Sequence, residues 1–138
     1  MIFTAVGTPA PKGSKRHMGH GVMIESSEHV KPFMEAVKWA AIEAMGGPGK
    51  QMIHGPVYCR LVFTLAKPKK SKFTCPATGK DQDKLTRCVY DALTQAGVWE
   101  DDSRVVDGAE SKVYPGQHPM ALDVPGVWVH VEAFAGYR

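Results

Sequence analysis

The chain has 138 residues, of which 43% are apolar, enough for one domain with a real core and too short for a second; a disordered chain is excluded. A formal net charge of +3 is too small to point to a nucleic-acid partner by itself, so the distribution of charge has to carry that argument. The cysteines, Cys59, Cys75 and Cys88, form no CxxC pair and are odd in number, which speaks against a disulfide framework or a zinc ribbon and for a reducing cytosol.

The N-terminal segment MIFTAVGTPAPKGSK lacks the charged and apolar regions of a signal peptide, and no apolar run reaches membrane-spanning length. A protein of the cytoplasm, away from membranes, is expected. Ile2 to Val6 reads as a short strand stopped by Gly7 and the prolines Pro9 and Pro11. Pro9 to Gly21, rich in Gly, Pro, Lys, Arg and His, reads as a loop, and Gly21 to Glu25 as a short strand. From Pro32 to Met45, the residues Phe33, Val37, Ala40, Ala41 and Ala44 recur at helical spacing, and the Gly46-Gly47-Pro48-Gly49 run ends that helix.

Val57 to Ala66 alternates, with Val57, Cys59, Leu61, Phe63 and Leu65 on one side and Tyr58, Arg60 and Thr64 on the other, the pattern of a strand. Lys67 to Lys80 is a basic loop. Leu85 to Gly97 is a second helix with Leu85, Cys88, Val89, Ala92, Leu93 and Ala96 inward and Gly97 as its cap. Val105 to Tyr114 and Val124 to Phe134 complete the order as two strands. The pattern β-β-α-β-α-β-β, without repeat or linker, predicts a single α+β domain over residues 1–138: a mixed sheet carrying two helices.

The chemistry concentrates between Lys80 and Asp107. Asp81 and Asp83 precede the second helix, and Asp101-Asp102 follow it. Extended residues i and i+2 project to the same side, so both carboxylates of the D-x-D can converge on one cation, and Asp83 is a candidate helix N-cap. Mg²⁺ takes hard oxygen ligands, and phosphodiester hydrolysis uses such an ion to activate water and offset developing charge. A bare D-x-D is more often a turn-and-cap pair on a solvated surface. A helix of this length also separates its ends by about 20 Å, so the sheet must draw the flanking segments together.

Arg87 follows Asp83 by four residues and precedes Asp91 by four, placing all three on one side of a helix. That reads either as a phosphate grip beside a metal site or as an exposed ion-pair ladder of little energetic weight. Charge favours the first. Lys67, Lys69, Lys70, Lys72 and Lys80 run into Asp81 with no acidic residue among them. Lys12, Lys15, Arg16, His17 and His20 form a second acid-free basic segment. Phe73 and Tyr114-Pro115 could stack on opened bases, but packing of the loops is the simpler role. His17-x-x-His20 lacks partners for a transition metal. The common NTPase, serine hydrolase and zincin signatures are missing.

The stretch Asp81-Gln82-Asp83-Lys84-Leu85-Thr86-Arg87, then Asp91-Ala92-Leu93, then Trp99-Glu100-Asp101-Asp102-Ser103-Arg104-Val105 resembles the RusA family of Holliday junction resolvases, many carried by phages and prophages. The family pattern is D-x-D-[NK]-L-x-[KR]-x-x-x-D-A-L, a short turn, an aromatic residue and D-D-x-x-V. The resemblance implies a RusA-like fold and a homodimer that cuts four-way and other branched DNA in recombination and repair, in the cytoplasm of a bacterium or phage-infected cell. It implies Mg²⁺, with Mn²⁺ able to substitute, held by Asp81, Asp83 and Asp102. Arg87 falls where well-studied members carry an essential lysine; it keeps the charge but does not readily give up a proton. Lys84, where some members have asparagine, is then the candidate ammonium group. The catalytic set implied is Asp81, Asp83, Asp102 and Arg87. The expected DNA-binding set is Lys12, Lys15, Arg16, Lys67, Lys69, Lys70, Lys72 and Lys84. Two rival readings use the same residues: another metal-dependent, structure-specific nuclease, or a DNA-binding protein whose carboxylates are structural.

Overall fold

The computed structural model describes residues 1–13, 15–17, 23–25 and 28–137, with 15–17 and 23–25 described by their backbone alone. In chain order the elements are β1 (Ile2–Val6), β2 (Lys15–His17), β3 (Met23–Glu25), α1 (Val30–Met45), β4 (Val57–Thr64), α2 (Gln82–Ala96), a 3-10 turn (Asp102–Arg104), β5 (Val105–Val113) and β6 (Gly126–Ala133). The main sheet has the order β1-β6-β4-β5; β4 and β5 run parallel and the other neighbours antiparallel. This is the mixed sheet with two helices that the pattern predicts, a small single α+β domain.

Alternation in the strands builds one buried face. Register places Phe3 beside Val129 and Val129 beside Leu61, with Ala5, Val127 and Phe63 as the next row. All six are buried, and the helices cover this face. α1 brings Val30, Phe33, Val37, Ala41 and Met45; α2 brings Leu85, Cys88, Val89, Ala92, Leu93 and Ala96. Burying an aliphatic or aromatic side chain contributes about 1.5–3 kcal/mol, so these rows dominate the stability of the fold.

Several expectations are corrected. The Lys15–His17 stretch, read as loop, is a strand that pairs Met23–Glu25 in a separate two-stranded ribbon. The expected Gly21–Glu25 strand spans only Met23–Glu25 among the described residues. α1 begins at Val30, two residues before Pro32, because Val30 extends the apolar stripe and the first helical turn needs no proline N–H. Its stripe ends on Met45, while Ala44 is exposed. β4 is not half-exposed throughout: Val62 and Thr64, on its outer side, are fully buried. The loop after β5 folds over that end, where the Leu122 amide donates to Thr64 Oγ1 at 2.8 Å.

Parallel neighbours need a crossover, and α2 with its flanking loops supplies it between β4 and β5. α2 starts at Gln82, three residues earlier than its apolar pattern, with Asp81 in the N-cap position at φ −73° and ψ 134°. Asp83 is therefore inside the first helical turn and not the cap. Trp99 locks the far end. It is buried, donates from Nε1 to Thr94 Oγ1 at 2.7 Å, and meets Tyr90 edge-to-face at 5.4 Å.

Candidate active site

Parallel pairing decides which side chains of β5 can meet α2. Leu61 of β4 lies beside Glu110 and Phe63 beside Lys112, and paired residues share a face. Leu61 and Phe63 face the helices, so Glu110 and Lys112 do too. Arg60 supports this from the other side of the sheet: Nη2 donates to Ser111 Oγ at 3.0 Å and Nη1 to the Ala109 carbonyl at 3.2 Å. β5 is an edge strand, so its helix-facing polar residues border the sequence that the resemblance singles out.

There a cleft of about 310 Å³ opens, lined by Gln82, Asp83, Thr86, Arg87, Tyr90, Asp102 and Glu110. α2 supplies the first five, the 3-10 turn supplies Asp102, and β5 supplies Glu110. Asp83 and Asp102, separated in sequence by the whole helix, thus face one cavity. The two adjacent aspartates differ in role. Asp101 accepts the Ser103 amide at 2.7 Å and caps the 3-10 turn; the Ser103 side chain, then this amide, hold its carboxyl below the usual range. Asp102 is left to the cleft.

Asp81 is placed differently. Its extended backbone and the helical Asp83 do not make the extended i, i+2 pair of the sequence argument. It is outside the residues lining the cleft, and Lys84 Nζ lies 3.5 Å from its Oδ2. Asp91 is drawn away as well, paired with Lys12 Nζ at 2.5 Å. By contrast, no described residue gives the side chains of Asp83, Asp102 or Glu110 a hydrogen bond or an ion pair. Among the described residues no three His, Cys, Asp or Glu side chains are gathered tightly enough to hold one metal ion as they stand. Like charges spread apart until a counter-charge draws them in.

The floor of the cleft carries a second unmet group. Thr86 is 7% exposed, and among the described residues its Oγ1 has no hydrogen-bond partner. A buried hydroxyl left unpaired costs about 1–3 kcal/mol, so a polar occupant of the cleft would relieve it. With carboxylate, hydroxyl and amide oxygens and no thiol or imidazole in its lining, the cleft fits a hard cation such as Mg²⁺ and not a thiophilic metal. Tyr90 completes the wall; burial, then the charges of Cys59, Glu110 and Asp102, push its hydroxyl upward, so it stays a neutral phenol. Glu110 also adds to the burial that pushes the Cys59 thiol up to about 12.

Cations frame the acidic cleft. Arg87 is exposed on its rim, one turn beyond Asp83, and its guanidinium rests over Gly13: a Cβ there would meet Nη1 at 2.5 Å. Lys80 Nζ donates to the Pro9 carbonyl and Lys112 Nζ to the Lys80 carbonyl at 2.7 Å. Burial lowers the Lys80 ammonium from its ordinary value. Lys67, Lys69, Lys70 and Lys72 are exposed on the loop before α2, with Lys67 near the Tyr114 ring and Lys72 near Phe73. Tyr114 is buried and packs the loop, whereas Phe73 is 46% exposed. Lys12 and Lys84 spend their charge on Asp91 and Asp81. The side chains of Lys15, Arg16 and His17, and all of His20, lie outside the described residues.

A larger cleft of about 420 Å³ lies against the lysine loop, bounded by Pro9, Leu65, Pro68, Pro76 and Tyr114 with Lys67 and Lys80. No carboxylate lines it, whereas the smaller cleft has Asp83, Asp102 and Glu110. Sequence reasoning missed Glu110 and Lys112. Their alternation within Val105–Val113 was legible, but not which face it served, because that depends on the parallel partner.

An α+β domain that sets unpaired carboxylates and an arginine around one cleft, beside a lysine-rich loop, belongs to the class of phosphodiester-cleaving enzymes. A family model described as endodeoxyribonuclease RusA matches residues 4–124, most of the chain. The protein is a member of the RusA endodeoxyribonuclease family, whose activity is the resolution of Holliday junctions. No curated protein matches the sequence. No helix among the described residues is long and apolar enough to cross a membrane.

Proposed function

We propose that this protein is a Mg²⁺-dependent endonuclease that works as a homodimer, nicking four-way DNA junctions in recombination and repair. The carrying observation is that Asp83 and Asp102, from opposite ends of α2, line one cleft with Arg87 on its rim. Asp83 and Asp102 would hold the cation, with Asp81 as the remaining acidic residue of the motif at the start of the helix. When bound, the ion supplies an activated water and offsets charge on the phosphate.

The residues of the chain do the rest. Arg87 presents a planar fork of donors to the scissile phosphate and fixes its orientation. It remains protonated, so it clamps and does not shuttle protons. Lys84 lies 3.5 Å from Asp81 and is the titratable cation nearest the motif, free to turn toward a leaving oxygen once DNA competes for it. The exposed lysines of the loop follow the backbone of an arm. A twofold dimer suits the near-twofold symmetry of the junction, giving one cut in each of two strands of like polarity. Ile2 and Val6, 59% and 64% exposed on edge strand β1, lie on the sheet face away from the helices and offer an apolar surface to a second copy.

The test is a gel assay with a four-way junction, a flap and a plain duplex, each with Mg²⁺ or with EDTA. Asp83→Asn and Asp102→Asn should keep junction binding and lose at least about a hundredfold in Mg²⁺-dependent cutting, since the cation's contribution is several kcal/mol. Cutting by both variants at the wild-type rate would sink the assignment. Preferential cutting of the flap would move it to another structure-specific nuclease. Full activity in EDTA would remove the metal.

A further inference from the structure

Glu110 is the one carboxylate of the cleft that neither end of the acidic motif supplies. Its backbone carbonyl accepts Gln82 Nε2 at 2.7 Å, which pins β5 against the first turn of α2 beside Asp83. Its register partner Leu61 fixes its side chain on the helix side of the sheet. Half-buried, and without an ion pair or side-chain hydrogen bond among the described residues, it faces the same cavity as Asp83 and Asp102. A carboxylate in that setting, with a Lys112 ammonium two residues away bound to a carbonyl instead, is open to a hard cation.

The Thr86 hydroxyl gives an independent reason to expect an occupant. It lines the same cleft, is nine-tenths buried and lacks a partner among the described residues. Neither feature serves the packing of the fold: an isosteric Val at position 86 and Gln at position 110 would fill the same space. Tyr90 lines the same cleft as Glu110 and Asp102, whose charges add to the burial that pushes its hydroxyl upward.

We propose that Glu110 is the third carboxylate facing the catalytic cation, reaching it from β5 opposite Asp83, and that Thr86 holds a water of that cation's shell. The metal site then spans three elements: the first turns of α2, the 3-10 turn and the edge strand. Mg²⁺ keeps several waters and is held by few carboxylates, so one or more of these three can act through water. This inference rests on the metal-dependent reading above and deepens it.

The experiment measures cation binding apart from catalysis. Mn²⁺ is titrated into full-length protein without DNA, with free Mn²⁺ followed by electron paramagnetic resonance, for wild type, Glu110→Gln, Glu110→Asp and Thr86→Val. Glu110→Gln should weaken binding by at least about tenfold, Glu110→Asp should recover part of it, and Thr86→Val should have the smaller effect. Circular dichroism confirms the fold of each, and the Asp variant keeps the test open if the Gln variant fails to fold. Wild-type Mn²⁺ affinity in Glu110→Gln, or equal loss in Glu110→Gln and Glu110→Asp, overturns the inference. If Glu110→Gln binds Mn²⁺ normally while wild type still cuts junctions with Mg²⁺, only the role of Glu110 falls. If wild type neither binds Mn²⁺ nor cuts in its presence, the metal-dependent reading falls with it.

Discussion

Arg87 is the one arginine among the residues lining the cleft. Its guanidinium rests against Gly13, so in the proposed reaction the backbone there would set its approach to a phosphate. Arg87→Ala should lower junction cutting by about 10²–10³-fold, the scale of losing one preorganised donor group. Arg87→Lys should fall in between, because the charge stays and the two-pronged geometry goes. Single-turnover cleavage distinguishes the three proteins, and an unimpaired Arg87→Ala would move the phosphate grip elsewhere. At this scale sequence reading went far: the motif drew attention to Asp83, Arg87 and Asp102, which share the cleft. It did not foresee that α2 would start at Gln82, leaving Asp81 just outside the helix and turned toward Lys84, because helix starts are not set by apolar periodicity alone.

The pair β4 and β5 is the element on which the cleft depends. Gly108, at φ +147°, lets the two strands approach so closely that a Cβ there would lie 1.8 Å from the Cys59 carbonyl oxygen. The register shifts between Val57 and Tyr58, skipping Val106, just before this point, and it is this shift that turns Glu110 toward the helices. Gly108→Ala should therefore cost at least about 3 kcal/mol through backbone strain and steric clash together. A thermal unfolding midpoint within a degree of wild type would contradict that. None of this is written in local pattern. Val105–Val113 reads as a strand from composition, but its partner, direction and shifted register are long-range facts. The helices and β4 were legible because their apolar spacing is local. The strand β2 was missed because Lys15, Arg16 and His17 are all basic and carry no apolar alternation.

At the scale of the whole molecule, the acidic cleft and the exposed apolar residues of β1 are on opposite sides of the sheet. The cleft lies with α2, while Ile2 and Val6 mark the face away from the helices. Lys69→Ala with Lys70→Ala should weaken junction binding and lower the slope of log affinity against log salt by about 1 for each phosphate contact removed. An unaltered slope takes that loop out of the DNA path. On the opposite face, Val6→Glu should shift sedimentation from dimer toward monomer at micromolar concentration while Mn²⁺ binding stays intact. A persistent dimer would put the contact on another surface. The two outcomes are separable because the surfaces are.

The segment after β1 ties these faces together. The Lys12 amide donates to the Lys84 carbonyl at 3.1 Å, its ammonium holds Asp91, and the Pro9 carbonyl takes the Lys80 ammonium. A strand at the rim of the sheet is thereby stitched to the helix that carries Asp83 and Arg87. Pulling on that edge tugs the first turns of α2, so whatever grips β1 from outside also sets how taut the cutting groove is held.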